Sequence, residues 1–270
     1  MDKKIRLLVA CHKACEVPSD PVYLPVHVGA AGKDDIGFQR DDDGEGISEK
    51  NPLYCELTGL YWAWKNLDYD YLGLVHYRRY FTLKNKKYQK EHGKMNSVLT
   101  TEETEKLLAD HKVIVPKRRK YYIESCYSHY AHTFDGKQFD LAREIIEEKY
   151  PAFLDDFDRF MKQDTCWLFN MFIMNRQLTD QYLHWLFDIL TELEKRYDTA
   201  GMTDFEKRYV GRVSERLFNV WLIHQIRAGH IARKDVFEVP YLYMGEIDWK
   251  RKVISFVKAK FLHQKYDKSF

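Results

Sequence analysis

The chain has 270 residues, 45% of them hydrophobic and 31% charged, with a formal net charge of +2. That length suits one large domain or two small ones, and the near-neutral balance argues against a nucleic acid or an acidic partner. The five cysteines, Cys11, Cys15, Cys55, Cys126 and Cys166, are odd in number and scattered, which argues for a reducing cytoplasm and against a disulfide scaffold.

Met1-Asp2-Lys3-Lys4 leads into a short apolar run, Ile5 to Ala10, which reads as a first strand and is too brief for a secretory signal. Pro18, Pro21 and Pro25 keep the next stretch out of helix, apart from a short strand over Tyr23 to Val28. Gly29 to Gly46 is rich in Gly and Asp and reads as a mobile loop over a site. Asn51-Pro52 is a helix start, with a helix expected to about Asn66 that buries Leu57, Leu60, Tyr61, Trp64 and Leu67. Tyr71 to Val75 is a buried strand that runs into His76-Tyr77-Arg78-Arg79-Tyr80-Phe81. A lysine-rich insertion, Lys84 to Asn96, is expected to be exposed.

Further on, Thr101 to Asp110 reads as a helix with a capping box at Thr101, and Val113 to Pro116 as a strand. Phe139 to Lys149 and Ala152 to Lys162 are amphipathic helices, Trp167 to Met174 a strand, and Leu178 to Tyr197 and Val213 to Ala228 helices. Alternating strands and helices predict a doubly wound α/β sheet. Residues 1–245 form one domain in this reading, and 246–270 a basic amphipathic tail. Such a tail suits an anionic membrane surface or packing on the domain. No segment approaches the roughly 20 apolar residues that span a bilayer.

Ligands of open α/β sheets bind outside the carboxyl ends of strands. His12 and Lys13 follow the first strand, and His76, Arg78 and Arg79 follow a later one. Guanidinium forks match phosphate oxygens, so this edge suits a nucleotide diphosphate. Ion pairing of the arginines with sheet-edge carboxylates is the competing reading, and alternation along a strand keeps both from one phosphate. Asp68-x-Asp70 precedes its strand and belongs to the opposite edge. Cys11-His12-x-x-Cys15 lacks a second pair to complete a zinc site. Asn170, polar amid an apolar run, needs partners from sugar hydroxyls or from neighbouring backbone. Met171 and Met174 suit the core, and His129 and His132 follow an aromatic run that faces an acceptor. Ser214 reads as an N-cap, which puts Glu215 in a first helical turn near a positive dipole end. The 19 Tyr, 16 Phe and 6 Trp fill a core and leave some rings for sugar stacking.

NPLYCELTGLYWAWKN with DYLGLVHYRRYF, ACHK with PVYLPVHVGA, WLFNMFIMN and GRVSERLFNVWL resemble a family of bacterial capsular and exopolysaccharide glycosyltransferases long catalogued as a domain of unknown function. The resemblance spans roughly Ile5 to Tyr243. It implies a GT-A-like mixed sheet flanked by helices and transfer of a hexose, galactofuranose in some members, from a UDP donor. It assigns His12, Lys13, His27, Val28 and Gly29 to a uridine wall, and Asn51, Tyr61, His76, Tyr77, Arg78 and Arg79 to the rest of the donor site. Asn170, Met171 and His132 would face the acceptor. Glu215 would be the base, with Asp164 second. Most GT-A folds hold a divalent cation on an Asp-x-Asp after the fourth strand; His76, Arg78 and Arg79 stand there instead. A metal-independent enzyme is therefore expected, with a divalent cation still open. The implied partners are a UDP-sugar and a lipid-linked glycan, at the cytoplasmic face of the plasma membrane. A non-catalytic sugar- or nucleotide-binding scaffold is the alternative, and no Walker or G-x-G-x-x-G loop points to another nucleotide enzyme.

Overall fold

The structure, a computed structural model, describes residues 3–245; the expected basic tail at 246–270 lies outside the described residues. The strands are β1 (Ile5–Cys11), β2 (Tyr23–His27), β3 (Gln39–Arg40), β4 (Tyr71–His76), β5 (Arg79–Phe81), β6 (Val113–Pro116), β7 (Arg119–Lys120), β8 (Thr165–Cys166), β9 (Phe172–Asn175), β10 (Val236–Val239) and β11 (Tyr241–Tyr243). The helices are α1 (Asn51–Tyr54), α2 (Leu57–Asn66), α3 (Lys86–His92), α4 (Thr101–Asp110), α5 (Cys126–Thr133), α6 (Lys137–Lys149), α7 (Leu154–Met161), α8 (Arg176–Arg196), α9 (Asp204–Lys207) and α10 (Tyr209–Arg227).

The runs IRLLVAC and YLGLVH are almost wholly apolar, as strands covered on both faces must be. They become the centre of the sheet, whose order is β10-β6-β9-β4-β1-β2-β3. β3, β2, β1 and β4 are parallel; β9 runs antiparallel between β4 and β6. β5 turns back from β4 and pairs with β11, while β7 and β8 form a separate ribbon. Alternate residues of β1 feed two apolar layers. Leu8 and Ala10 belong to the layer that holds buried residues of α2, α6, α8 and α10 on one face; Leu7, Val9 and Cys11 belong to the layer that holds Leu108 of α4 on the other. Each fully buried Leu, Val or Phe there contributes about 1.5–3 kcal/mol.

Several elements differ from expectation. The helix over 51–66 breaks at Cys55, whose φ of 54° ends α1 before α2 begins. On α2, Leu57, Leu60, Trp62 and Ala63 are buried, whereas Tyr61 and Trp64 are half-buried, Tyr61 edge-on to Phe187 of α8 and Trp64 stacked on it. The strand expected from Trp167 shrinks to β9, because Phe169 (φ 74°) and Asn170 (φ 51°) turn the backbone first. Thr100, one residue earlier than expected, closes the capping box of α4 with Glu103. Ser214 is no N-cap. It lies inside α10, buried, with Oγ donating to the Gly211 carbonyl at 2.8 Å, so the helix-terminus argument for Glu215 fails. The 29–46 loop is pinned: the fully buried Asp41 carboxylate accepts from Gly29 N (2.7 Å), Ala30 N (3.0 Å) and Ser48 Oγ (2.5 Å).

Candidate active site

The carboxyl ends of β1, β2 and β4 form one edge, with Cys11 opposite His27 and Ala10 opposite His76. Residues separated by more than 60 positions therefore meet. The His12 ring stands edge-on to Tyr77 at 5.0 Å, and the Arg78 guanidinium lies 5.0 Å from the Tyr77 ring centre. The His12 pKa is lowered, by partial desolvation first and then by the positive charges of Lys13, Arg78, Arg208 and Lys33. Among the described residues none of these four cations makes an ion pair; Arg208 Nε donates only to Cys55 Sγ, at 3.3 Å. Cations without ion-pair partners near one strand edge give it a positive potential that favours an anion.

Arg79 faces elsewhere. Its guanidinium is 4.3 Å from the Phe169 ring and 5.3 Å from that of Tyr243. His76 Nε2 donates to the Phe169 carbonyl at 2.5 Å, which fixes its tautomer. The turn at Phe169–Asn170 thus joins the β4–β5 hairpin to the far side of the site. There Asn170, 3% exposed, donates from Nδ2 to Glu56 Oε1 (2.7 Å) and to the Gly211 carbonyl (3.2 Å). Its Oδ1 accepts from Ser214 Oγ at 3.0 Å. All the amide's atoms are thus taken by protein groups rather than left for sugar hydroxyls. Arg208 is held above its ordinary pKa by Cys55 first, against desolvation, and then by Glu56 and Glu215. Both carboxylates therefore border the cation cluster. Glu215 Oε2 pairs with the buried Arg216 at 3.0 Å.

The other sequence-derived residues are placed as follows. His27 is 1% exposed and among the described residues its Nδ1 has no hydrogen-bond partner; Val28 is buried and donates its N–H to the Cys11 carbonyl. Both back the edge rather than line its surface. A Cβ on Gly29 (φ +66°) would come 2.4 Å from Asn51 Cγ, so the glycine makes room for Asn51 rather than for a nucleotide. Asn51 in turn donates to the Cys55 carbonyl at 2.7 Å and supports the break before Glu56. Tyr61 reaches Glu45 and Phe187, and no residue of the cluster is among its contacts. Met171 is buried in the core and offers no surface to an acceptor. Asp164 immediately precedes β8, 3.6 Å from Lys120 of β7. His132 is bound through Nδ1 to the buried Glu124 at 2.6 Å, and His129 stacks on Tyr121 at 3.9 Å. Asp68 and Asp70 precede β4, where they hold Lys4 and Arg176. Among the described residues no group of three or more His, Cys, Asp or Glu is arranged as metal ligands.

Lys33, Arg208 and Glu56 were missed as site residues. Lys33 sat in a loop read as mobile, and Arg208 lies in a polar run before a helix start. Glu56 sits within a motif dominated by aromatic residues.

A GT-A-like transferase fold is what this strand order defines, with its antiparallel β9 inside a largely parallel sheet and its ligand edge at the ends of β1, β2 and β4. Residues 6–226 match the family model described as "Domain of unknown function (DUF4422)", and the chain belongs to that family. Among solved structures it is similar to the apo structure of the WbbM bifunctional glycosyltransferase, with a TM-score of 0.81 and 28% identity. That match covers 90% of this chain and 46% of WbbM, so the chain spans a little under half of that protein. None of the curated proteins compared with the chain matches it. Among the described residues no helix is long and apolar enough to cross a membrane.

Proposed function

We propose that this protein is a glycosyltransferase that moves a hexose, galactofuranose or galactose, from a UDP-sugar. The acceptor is a growing capsular, exopolysaccharide or O-antigen glycan on a lipid carrier at the inner membrane face. One observation carries the reading: the positive charges of Lys13, Arg78, Arg208 and Lys33 act on His12 beside Tyr77 at the strand edge, and among the described residues none of the four makes an ion pair. A nucleotide diphosphate gains negative charge as it leaves, and cations fixed beforehand stabilise that charge without reorganising. In this reading they serve in place of a divalent cation. Family membership and the likeness to a bifunctional glycosyltransferase support the reaction class.

Thermal-shift titration tests this directly. UDP and UDP-sugars raise the midpoint, GDP and CMP do not, and the effect survives EDTA. Stabilisation that needs manganese would remove the metal-free part; no response to any nucleotide would remove the donor assignment.

A further inference from the structure

We propose that Glu56 is the general base that takes the acceptor proton; the inference rests on the transferase reading. The backbone turns at Cys55 (φ 54°) so that Glu56 stands at the start of α2, beside the residue whose sulfur Arg208 contacts at 3.3 Å. Such conformations cost non-glycine residues about 1–3 kcal/mol and persist where the surroundings enforce them. Here Asn51 Nδ2 holds the Cys55 carbonyl at 2.7 Å. A second enforced turn, at Phe169 and Asn170, brings an amide to the same carboxylate: Asn170 Nδ2 meets Glu56 Oε1 at 2.7 Å. Ser214 Oγ holds the other end of that amide at 3.0 Å, which fixes its orientation. Two unfavourable backbone turns thus converge on one side chain.

The arrangement leaves Glu56 half-buried with Oε1 occupied, and among the described residues no donor meets Oε2. A neutral amide orients a carboxylate without cancelling its charge. Glu215 is held differently: its Oε2 sits 3.0 Å from Arg216, a guanidinium only 5% exposed that needs this counter-charge. Asp164 is further removed, on Lys120. Of the three carboxylates, Glu56 alone has an oriented oxygen with no ion-pair partner among the described residues, near the cations that receive the leaving group.

The step balances as follows. Glu56 Oε2 takes the proton of an acceptor hydroxyl as that oxygen bonds to the anomeric carbon. The bond from that carbon to the β-phosphate oxygen breaks, and its electron pair leaves with UDP among Arg78, Arg208 and the lysines. Inversion at the anomeric carbon follows.

The test uses the full chain with the UDP-sugar found to stabilise it. Glu56→Gln is expected to lower kcat about 100-fold or more, to leave the UDP-induced thermal shift intact, and to abolish the acid limb of the kcat/KM profile. Glu56→Ala is expected to regain turnover with added formate, which enters the space and accepts the proton; a structural role would give no such rescue. Retention of more than a tenth of wild-type kcat by Glu56→Gln, with wild type active, would overturn Glu56 while leaving the transferase reading in place. Absence of any turnover in wild type would instead overturn the reading and this inference with it.

Discussion

His12 and Tyr77 touch edge to face, 5.0 Å apart, and so tie the loop after β1 to the turn after β4. Four positive charges act on His12 and depress its pKa below 6.5 once partial desolvation has done so. A bound diphosphate reverses that field and raises the His12 pKa. The complex then prefers protonated His12, so affinity for a UDP-sugar, whose phosphates do not titrate near pH 6, strengthens as pH falls below about 6.5. Calorimetry between pH 7.5 and 5.5 measures this as proton uptake on binding. The variant His12→Asn is expected to flatten the dependence; an unchanged slope would place the titrating group elsewhere.

Arg78 and Arg79 are adjacent in sequence but face different work. Arg78→Ala is expected to weaken donor binding about 10- to 100-fold, the range for a charged hydrogen bond to phosphate. Arg79→Ala removes a guanidinium from the Phe169 and Tyr243 rings, 4.3 and 5.3 Å away, and is expected to cost about 1–2 kcal/mol of stability with a smaller effect on binding. Binding and urea titrations on both variants check the split. A larger binding loss in Arg79→Ala reverses the assignment.

Gly29→Ala meets two obstacles, a φ of +66° and an Asn51 side chain 2.4 Å from the new carbon. Strain and overpacking together are expected to lower stability by about 2–4 kcal/mol. Equilibrium unfolding in denaturant reads it. A loss below about 1 kcal/mol would show that Asn51 swings aside from the Cys55 carbonyl.

Burial pushes the His129 pKa from 6.5 down to about 3, with Arg216, Arg119 and His132 adding to the shift. The unfolded chain binds this proton below pH 6.5 and the folded chain does not until about pH 3. Stability from this group is therefore complete above 6.5 and is lost as pH falls, approaching about 1.4 kcal/mol per pH unit. Between pH 7 and 5.5 the loss is about 1 kcal/mol. The variant His129→Phe keeps the ring against Tyr121 and is expected to remove that part of the slope in urea unfolding.

The cation edge was legible because it follows from local pattern and one topological rule. Continuous apolar runs in parallel β1 and β4 must end at the same edge, and that alone brings His12 to Tyr77 and Arg78. What lay hidden depends on backbone turns in residues with side chains. Nothing in Cys55, Phe169 or Asn170 announces a positive φ, as a glycine would, so neither the break before Glu56 nor the shortening of β9 could be read. Ser214-Glu215 resembled a helix start because serine caps helices, yet Tyr209, Val210 and Val213 already carry α10 past it with buried side chains. The positive charge of Arg208 acts on His12 from nearly 200 residues away in sequence, which only the tertiary fold allows.

β11 is pinned beside the strand edge that carries Arg78. Tyr243 pairs with Arg79, Met244 N donates to the Arg78 carbonyl at 2.9 Å, and Lys94 Nζ holds the Tyr243 carbonyl at 2.7 Å. The described chain thus ends at Gly245, close to Arg78. Trp249, where the basic stretch starts, is four residues on, a reach of at most about 14 Å. Anything that captures the stretch from Trp249 onward therefore works on a short leash. It would bring the strand edge that carries Arg78 close to whatever surface did the capturing.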